Sequence, residues 1–277
     1  ILNFDKNRIM SPSYATFRPN NNSTNIYLAY FDHLNGEIRF RYGNLSDGDG
    51  KKNFNNFADD YRNNAVNNRN NLNNGQYSTT NVQVVANDQG EALGYAGEYV
   101  SIATTKEGYV VMVWYDSQTS NLMYSYNTNP TAGTTGKNKT NWANASTLLT
   151  GAGEYCQIVV DSDNHIHIAA YDNIRGDLKY VYLSDYTGTN KRTCTVDSYL
   201  DLGENITLDV AKDENGNQVP HIGYWGAYPK KPRYAYLANP ELLTVPAAAD
   251  GADGYTDGDL DGSKTDKYTG VWECTIV

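Results

Sequence analysis

Gly153-Glu154-Tyr155-Cys156 opens a run that continues through QIVVDSDN (157–164), HIHIAAYD (165–172), NIRGD (173–177) and LKYVY (178–182). The same order of parts recurs on both sides of it. Upstream, Gly97-Glu98-Tyr99-Val100 leads to TTKEG, YVVMVWYD (109–116), SQTSN and LMYSY (122–126). Downstream, Gly203-Glu204-Asn205-Ile206 leads to VAKDENGNQ, VPHIGYWG (219–226), AYPKKP and RYAY (233–236). A degenerate first copy spans Tyr14 to Tyr42 and closes with NIYLAYFD, HLNGE and IRFRY. A repeat of this period must be read before any single motif, because it decides the architecture.

Each copy holds three strand-length runs separated by polar turns that carry Asp, Asn or Gly, the residues that close hairpins. His165, His167 and Ala169 alternate with Ile166, Ile168 and Ala170, a period of two. A fourth strand is expected after each triplet, at Thr79–Asn87, Asn141–Thr150, Arg192–Asp201 and Gly270–Val277. Four antiparallel strands in each repeat, with no helical period between them, predict an all-β chain of β-propeller blades. A β-sandwich with coincidental spacing is the competing architecture. The repeats fall at about 10–88, 97–150, 153–201 and 203–277, in one propeller domain or a part of one, with insertions at 43–77 and 238–269. A further insertion runs from Asn127 to Thr140. In the first insertion, Phe54, Phe57, Tyr61 and Val66 would line one side of a short helix, although its many Asn residues favour a loop equally.

Leu2–Met10 and Gly270–Val277 both read as fourth-type strands. Four three-strand units between them leave one outer strand in surplus, and open terminal blades would expose edges and apolar faces. The expectation is that a second polypeptide or a processed fragment completes a seven- or eight-bladed ring, or that two copies of the chain meet face to face as a homodimer.

With 24 tyrosines and 12% aromatic residues, the chain is too aromatic for disorder and suits pleated strands. A net charge of −10 argues against nucleic acid, which requires a basic stripe. No apolar run is long enough to span a bilayer. The composition, rich in Asn, Tyr, Thr and Gly, fits a secreted or bacterial cell-surface protein. The repeat register puts Cys156 on an inner strand and Cys194 on an outer strand of one sheet. Three strand spacings of about 4.8 Å separate those positions, beyond disulfide reach, and Cys274 falls in the next blade.

Glu98, Glu154 and Glu204 recur at the start of the first strand, and Asp32, Asp116 and Asp172 at the end of the second, with Trp225 read as the replacement in the last copy. Paired carboxylates can do acid–base work on glycosides. A residue that repeats in every blade, however, is better explained by the blade itself, since carboxylates at turns accept backbone N–H bonds. The departures from the repeat are more informative about a ligand. Trp225, Tyr228, Lys230, Lys231 and Arg233 gather at the second-to-third link of the last copy, and His33 and Arg175 occupy the equivalent links of copies one and three. These residues make a candidate site for a sugar or an acidic peptide. Asp257, Asp259 and Asp261, followed by Gly262, have the spacing of an oxygen-ligand calcium loop, with Tyr268 where a bidentate Glu would complete it. His165 and His167 lack a third ligand and read as packed or surface histidines.

The pattern Asp-x-x-Gly/Asn, then His/Val-Ile/Val-x-x-Tyr-Asp, then Leu-x-Tyr-x-Tyr resembles the repeats of sialidase-like bacterial propellers. The Asp-box of true sialidases is absent. Arg18, in Phe17-Arg18-Pro19, is similar to the arginine that holds a carboxylate near the start of those enzymes. The resemblance implies either a non-catalytic recognition or scaffold propeller, a sialidase-like carbohydrate-active enzyme, or a glycan-binding lectin.

Overall fold

The structure, a computed structural model, describes residues 9–20, 23–46, 82–90, 93–130, 142–198, 201–228, 230–237 and 272–276. These residues form four antiparallel four-stranded sheets in chain order. Blade 1 is β1 (Ile9–Asn20), β2 (Ser23–Asp32), β3 (Glu37–Ser46) and β4 (Val82–Asn87). Blade 2 is β5 (Val100–Thr104), β6 (Val110–Asp116), β7 (Asn121–Asn127) and β8 (Ser146–Thr150). Blade 3 is β9 (Glu154–Val160), β10 (Ile166–Asp172), β11 (Asp177–Leu183) and β12 (Lys191–Asp197). Blade 4 is β13 (Asp201–Lys212), β14 (Gln218–Tyr228), β15 (Lys231–Leu237) and β16 (Trp272–Ile276). Every blade is a simple meander with each strand bonded to the next. The fold class is all-β, of propeller-type blades. Among the described residues no helix is long and apolar enough to cross a membrane.

Two compact units divide the chain: 1–112 with 125–145, and 113–124 with 146–277. In the first, the inner strands β1 and β5 are stitched by side chains. Ser11 Oγ accepts the Tyr99 N–H at 3.2 Å, Ser13 Oγ accepts the Ile102 N–H at 3.0 Å, and Thr104 Oγ1 donates to the Thr16 carbonyl at 3.0 Å. Phe40 packs on Tyr27 and meets the Trp142 ring edge-on at 5.2 Å. In the second unit the core lies between blades 3 and 4. Ala169, Tyr171, Leu178, Tyr180 and Tyr182 of one face Ile222, Tyr224, Ala235, Leu237 and Trp272 of the other. β10 is buried at every position, which is why Ile166–Tyr171 is apolar or aromatic on both faces of the pleat, with Asp172 closing the strand at its turn.

The Gly-Glu openings are β-bulges. Glu154 pairs with Tyr171, but the next pair is Gln157 with Ala169. Glu204 pairs with Trp225, then Thr207 with Gly223. Blade 1 carries the same bulge, with Met10 against Phe31 and then Ser13 against Ala29. At each bulge one residue takes a left-handed φ: Ser11 at 46°, Tyr155 at 52° and Asn205 at 51°, joined by Tyr99 at 70° in blade 2. The added residue turns the strand and strengthens its twist.

These registers correct two sequence readings. Ile9 and Met10 belong to the first strand of blade 1, paired with Asp32 and Phe31, and not to a fourth-type strand; residues 1–8 lie outside the described residues. Trp225 corresponds to Tyr171 and Phe31, so Gly226 is what replaces the Asp in blade 4.

Gly203 is held at φ +115°, and a Cβ there would lie 3.2 Å from both Leu178 Cα and Tyr171 Cδ2. Gly203→Ala is expected to destabilise the chain by about 1–3 kcal/mol in a urea melt. Gly216→Ala, at φ +85° with nothing within 4 Å, should cost less; equal losses would mean that the close approach contributes nothing.

Candidate functional site

The bulged end of blade 3 gathers polar and aromatic side chains from the strands β6, β9, β10 and β13 and from the β10–β11 turn of the second unit. The bulge itself presents Glu154 and Tyr155, and the β10–β11 turn presents Asn173. Asn173 Nδ2 donates to Glu154 Oε1 at 2.7 Å and lies 3.4 Å from the Tyr115 hydroxyl. Tyr155 meets the ring of Tyr171 edge-on at 6.1 Å. The Tyr171 hydroxyl donates to Asp201 Oδ1 at 2.5 Å. Burial first, then the hydrogen bond to Asp201 and the charges of Asp201, Glu204 and Glu154, push the Tyr171 phenol far above its ordinary range. Three carboxylates therefore converge electrostatically on one phenol, and the phenol stays protonated.

The recurring Asp residues serve the turns. Asp116 Oδ1 accepts the N–H groups of Gln118 and Thr119 at 2.9 and 3.1 Å. Asp172 Oδ1 does the same for Ile174 and Arg175 at 3.1 and 3.0 Å. Asp32 is fully buried, 3.0 Å from Arg39 Nη1, and accepts from Asn35 Nδ2 at 2.9 Å. These side chains close hairpins, as the repeat reasoning favours. The first turn of each later blade has its own closing residue. Thr105 Oγ1 accepts the Tyr109 N–H, Asp161 Oδ1 those of Asp163 and His165, and Asp213 Oδ1 those of Asn215 and Asn217.

The predicted ligand residues do not converge on one spot. His33 and Arg175 are exposed in the β2–β3 and β10–β11 turns. Arg175 lies 3.5 Å from Asp172 and Phe31 meets His33 edge-on. Trp225 is in β14, and Lys231 and Arg233 are in β15. The long link expected there shrinks to residues 229 and 230, with Lys230 exposed in the turn. Trp225 opposes Pro232 while Arg233 opposes Tyr224, so Trp225 and Arg233 point to opposite faces of the blade. Arg233 is buried, with Nε 3.5 Å from the fully buried Asp197; it belongs to the contact between blades 3 and 4. Tyr228 ends β14 opposite Asp201, and its side chain lies outside the described residues. Asp257, Asp259 and Asp261, and with them the calcium reading, lie outside the described residues, as does the helix considered at 54–66. Arg18 is exposed near the far end of β1 from the bulge.

One constellation was missed. Asp161 Oδ2 lies 3.0 Å from His165 Nδ1 and 3.1 Å from His167 Nε2, and His167 Nδ1 is 2.6 Å from the Tyr180 hydroxyl. His167 is wholly buried. Burial depresses its pKa, with Asp161 opposing that shift. Burial would raise Asp161, but hydrogen bonds from His167, His165 and Asp163 outweigh it and hold the carboxyl at about 2. The signal was an Asp four residues before the first His at a turn start. Among the described residues no group of three or more His, Cys, Asp or Glu side chains forms a metal site.

Cys156 and Cys194 are free thiols on the first and fourth strands of blade 3, as the register predicts. Burial pushes the Cys156 thiol far up.

No protein-family model matches the chain, and no curated protein does. Among solved structures it is similar to a GH62 hydrolase in complex with xylotriose, at 12% identity and TM-score 0.37, covering 80% of this chain and 67% of that one. It is also similar to the GH43 endo-arabinanase from Bacillus licheniformis, at 9% identity and TM-score 0.34, covering 80% and 70%. At such identities no residue of either can be matched to a residue here.

Proposed function

We propose that this chain is a non-catalytic recognition module, secreted or displayed at a cell surface, that binds a neutral glycan at the bulged end of blade 3. The observation that carries the reading is the cluster of Glu154, Tyr155, Asn173 and Tyr115 beside the Tyr171–Asp201 pair. Carboxylates and amides are the groups that grip sugar hydroxyls, and tyrosine rings supply the apolar platform beneath a pyranose. An acidic surround repels a carboxylated sugar, so a sialoside is disfavoured. Fixed partners for the carboxylates favour binding over acid–base turnover.

Titration with neutral oligosaccharides tests this. Asn173→Ala and Glu154→Gln are each expected to weaken binding about tenfold, or about 1.4 kcal/mol. Failure to bind any neutral glycan, or binding confined to sialosides, would overturn the reading. The crowding of Glu154, Asp201 and Glu204 on one phenol favours a second reading, a carbohydrate-active hydrolase. Release of reducing sugar by the unmutated chain would replace the first reading with that one.

A further inference from the structure

Blade 4 presents two faces of different character. The face toward blade 3 carries Leu208, Ile222, Tyr224, Ala235 and Leu237, and it is covered by Tyr171, Leu178, Tyr180 and Tyr182 of that blade. The other face carries Thr207, His221, Trp225, Tyr234 and Tyr236, and it is half-buried or exposed. Strand register makes the second set the counterpart of blade 3's covered face. Gln157 pairs with Ala169 as Thr207 pairs with Gly223, Ala169 with Tyr180 as Gly223 with Tyr234, and His167 with Tyr182 as His221 with Tyr236. The chemistry repeats as well. His167 Nδ1 lies 2.6 Å from the Tyr180 hydroxyl and His221 Nδ1 lies 2.5 Å from that of Tyr234. His221, Tyr234 and Tyr236 stack with interplanar angles of 20–29°. In blade 3 the corresponding His167, Tyr180 and Tyr182 are only 0%, 2% and 4% exposed, because blade 4 lies on them.

Blade 1 carries the complementary kind of face. Counting on from the shared bulge, Tyr14, Leu28, Tyr30 and Arg39 occupy the positions of Leu208, Ile222, Tyr224 and Arg233. Two of these pairs are identical residues and Leu28 stands for Ile222. Tyr14 is 75% exposed, whereas Ile158, at the same position in blade 3, is 5% exposed. Arg41 adds a guanidinium over the Tyr30 ring, 5.9 Å from its centroid. Arg39 is already held by Asp32 and Glu37, whereas Arg41 suits an aromatic face that also carries the exposed carboxylate of Asp209.

We infer that the outward face of blade 4 docks on the outward face of blade 1 in a second copy of this chain, head to tail. The docking repeats the contact that blades 3 and 4 already make, with His221, Tyr234 and Tyr236 standing for His167, Tyr180 and Tyr182, and Leu28, Tyr30 and Arg39 standing for Ile222, Tyr224 and Arg233. It does not depend on the glycan reading above. A heterologous contact of this kind either closes or propagates. Two copies so joined carry eight blades.

Sedimentation velocity on the purified 277-residue chain reads the outcome directly. The expected result is a species of twice 30.8 kDa, or a concentration-dependent series of larger multiples if the contact propagates. Tyr14→Asp alters an exposed position of the blade 1 face and Thr207→Arg one of the blade 4 face, and each alone should shift the chain to monomer. Mixing the two variants should restore a dimer, since the first keeps an intact blade 4 face and the second an intact blade 1 face. A monomer at every concentration in the unmutated chain would overturn the proposal. So would a dimer that survives Tyr14→Asp, which would place blade 4 against blade 4. Circular dichroism of each variant confirms folding; should one variant not fold, the unmutated chain and the other variant still decide.

Discussion

Arg233→Met is expected to destabilise the protein by about 3–5 kcal/mol, the range for breaking a buried ion pair from one side. The Arg233 side chain is 6% exposed and that of Asp197 is 0% exposed, with 3.5 Å between Nε and Oδ2. The Tyr224 hydroxyl donates to the same Asp197 oxygen at 2.6 Å. Removing the guanidinium leaves the carboxylate in the wall between blades 3 and 4 without its cation, while the hydrogen bond from Tyr224 keeps it in place. Asp197→Asn should cost less, since an amide still accepts from Tyr224. The double variant Arg233→Met with Asp197→Leu should recover most of the loss, because no charge then remains buried. Chemical denaturation of the unmutated chain, Arg233→Met, Asp197→Leu and the double variant forms a complete cycle. A single-variant loss under about 1 kcal/mol would show that the pair behaves as a solvated surface bridge.

Acidification is expected to unfold the protein in two stages, both set by one cluster in blade 3. The His167 pKa is depressed by burial, so the native state holds the neutral ring. Below about 6.5 the unfolded chain takes up a proton that the native site refuses. Stability therefore falls as pH drops from that value toward the native pKa. The Asp161 carboxyl, held at about 2 against an ordinary 3.8, makes its contribution in full above 3.8. That contribution, about 2 kcal/mol, is lost as pH falls from 3.8 to 2. Asp161→Asn should erase the lower stage and lower the melting temperature at pH 7. His167→Gln should flatten the stage below 6.5. Melting curves across pH 2–8 check both, and an acid profile unchanged by Asp161→Asn would remove this cluster as its origin.

The amino-acid sequence by itself determined the blade. Its period-two runs, its polar turns and its returning Gly-Glu openings fixed the strand order, the meander within each sheet and the separation of Cys156 from Cys194. It also showed that the recurring Asp residues belong to the turns, because such bonds form within three residues of the side chain and follow from local spacing. What lies across strands was decided only by tertiary structure. The β14–β15 register sets Trp225 opposite Pro232 and Arg233 opposite Tyr224, so these two residues, eight apart in sequence, end on opposite faces. Asp197 meets Arg233 across two blades, which no spacing rule specifies, whereas Asp161 meets His165 and His167 within one hairpin. The convergence of Glu154, Asp201 and Asn173 near Tyr171 likewise arises where the starts of β9 and β13 meet the β10–β11 turn. Local hydrogen bonds and alternation are written residue by residue, whereas pairing between strands and blades depends on register, which one added residue in a bulge can shift.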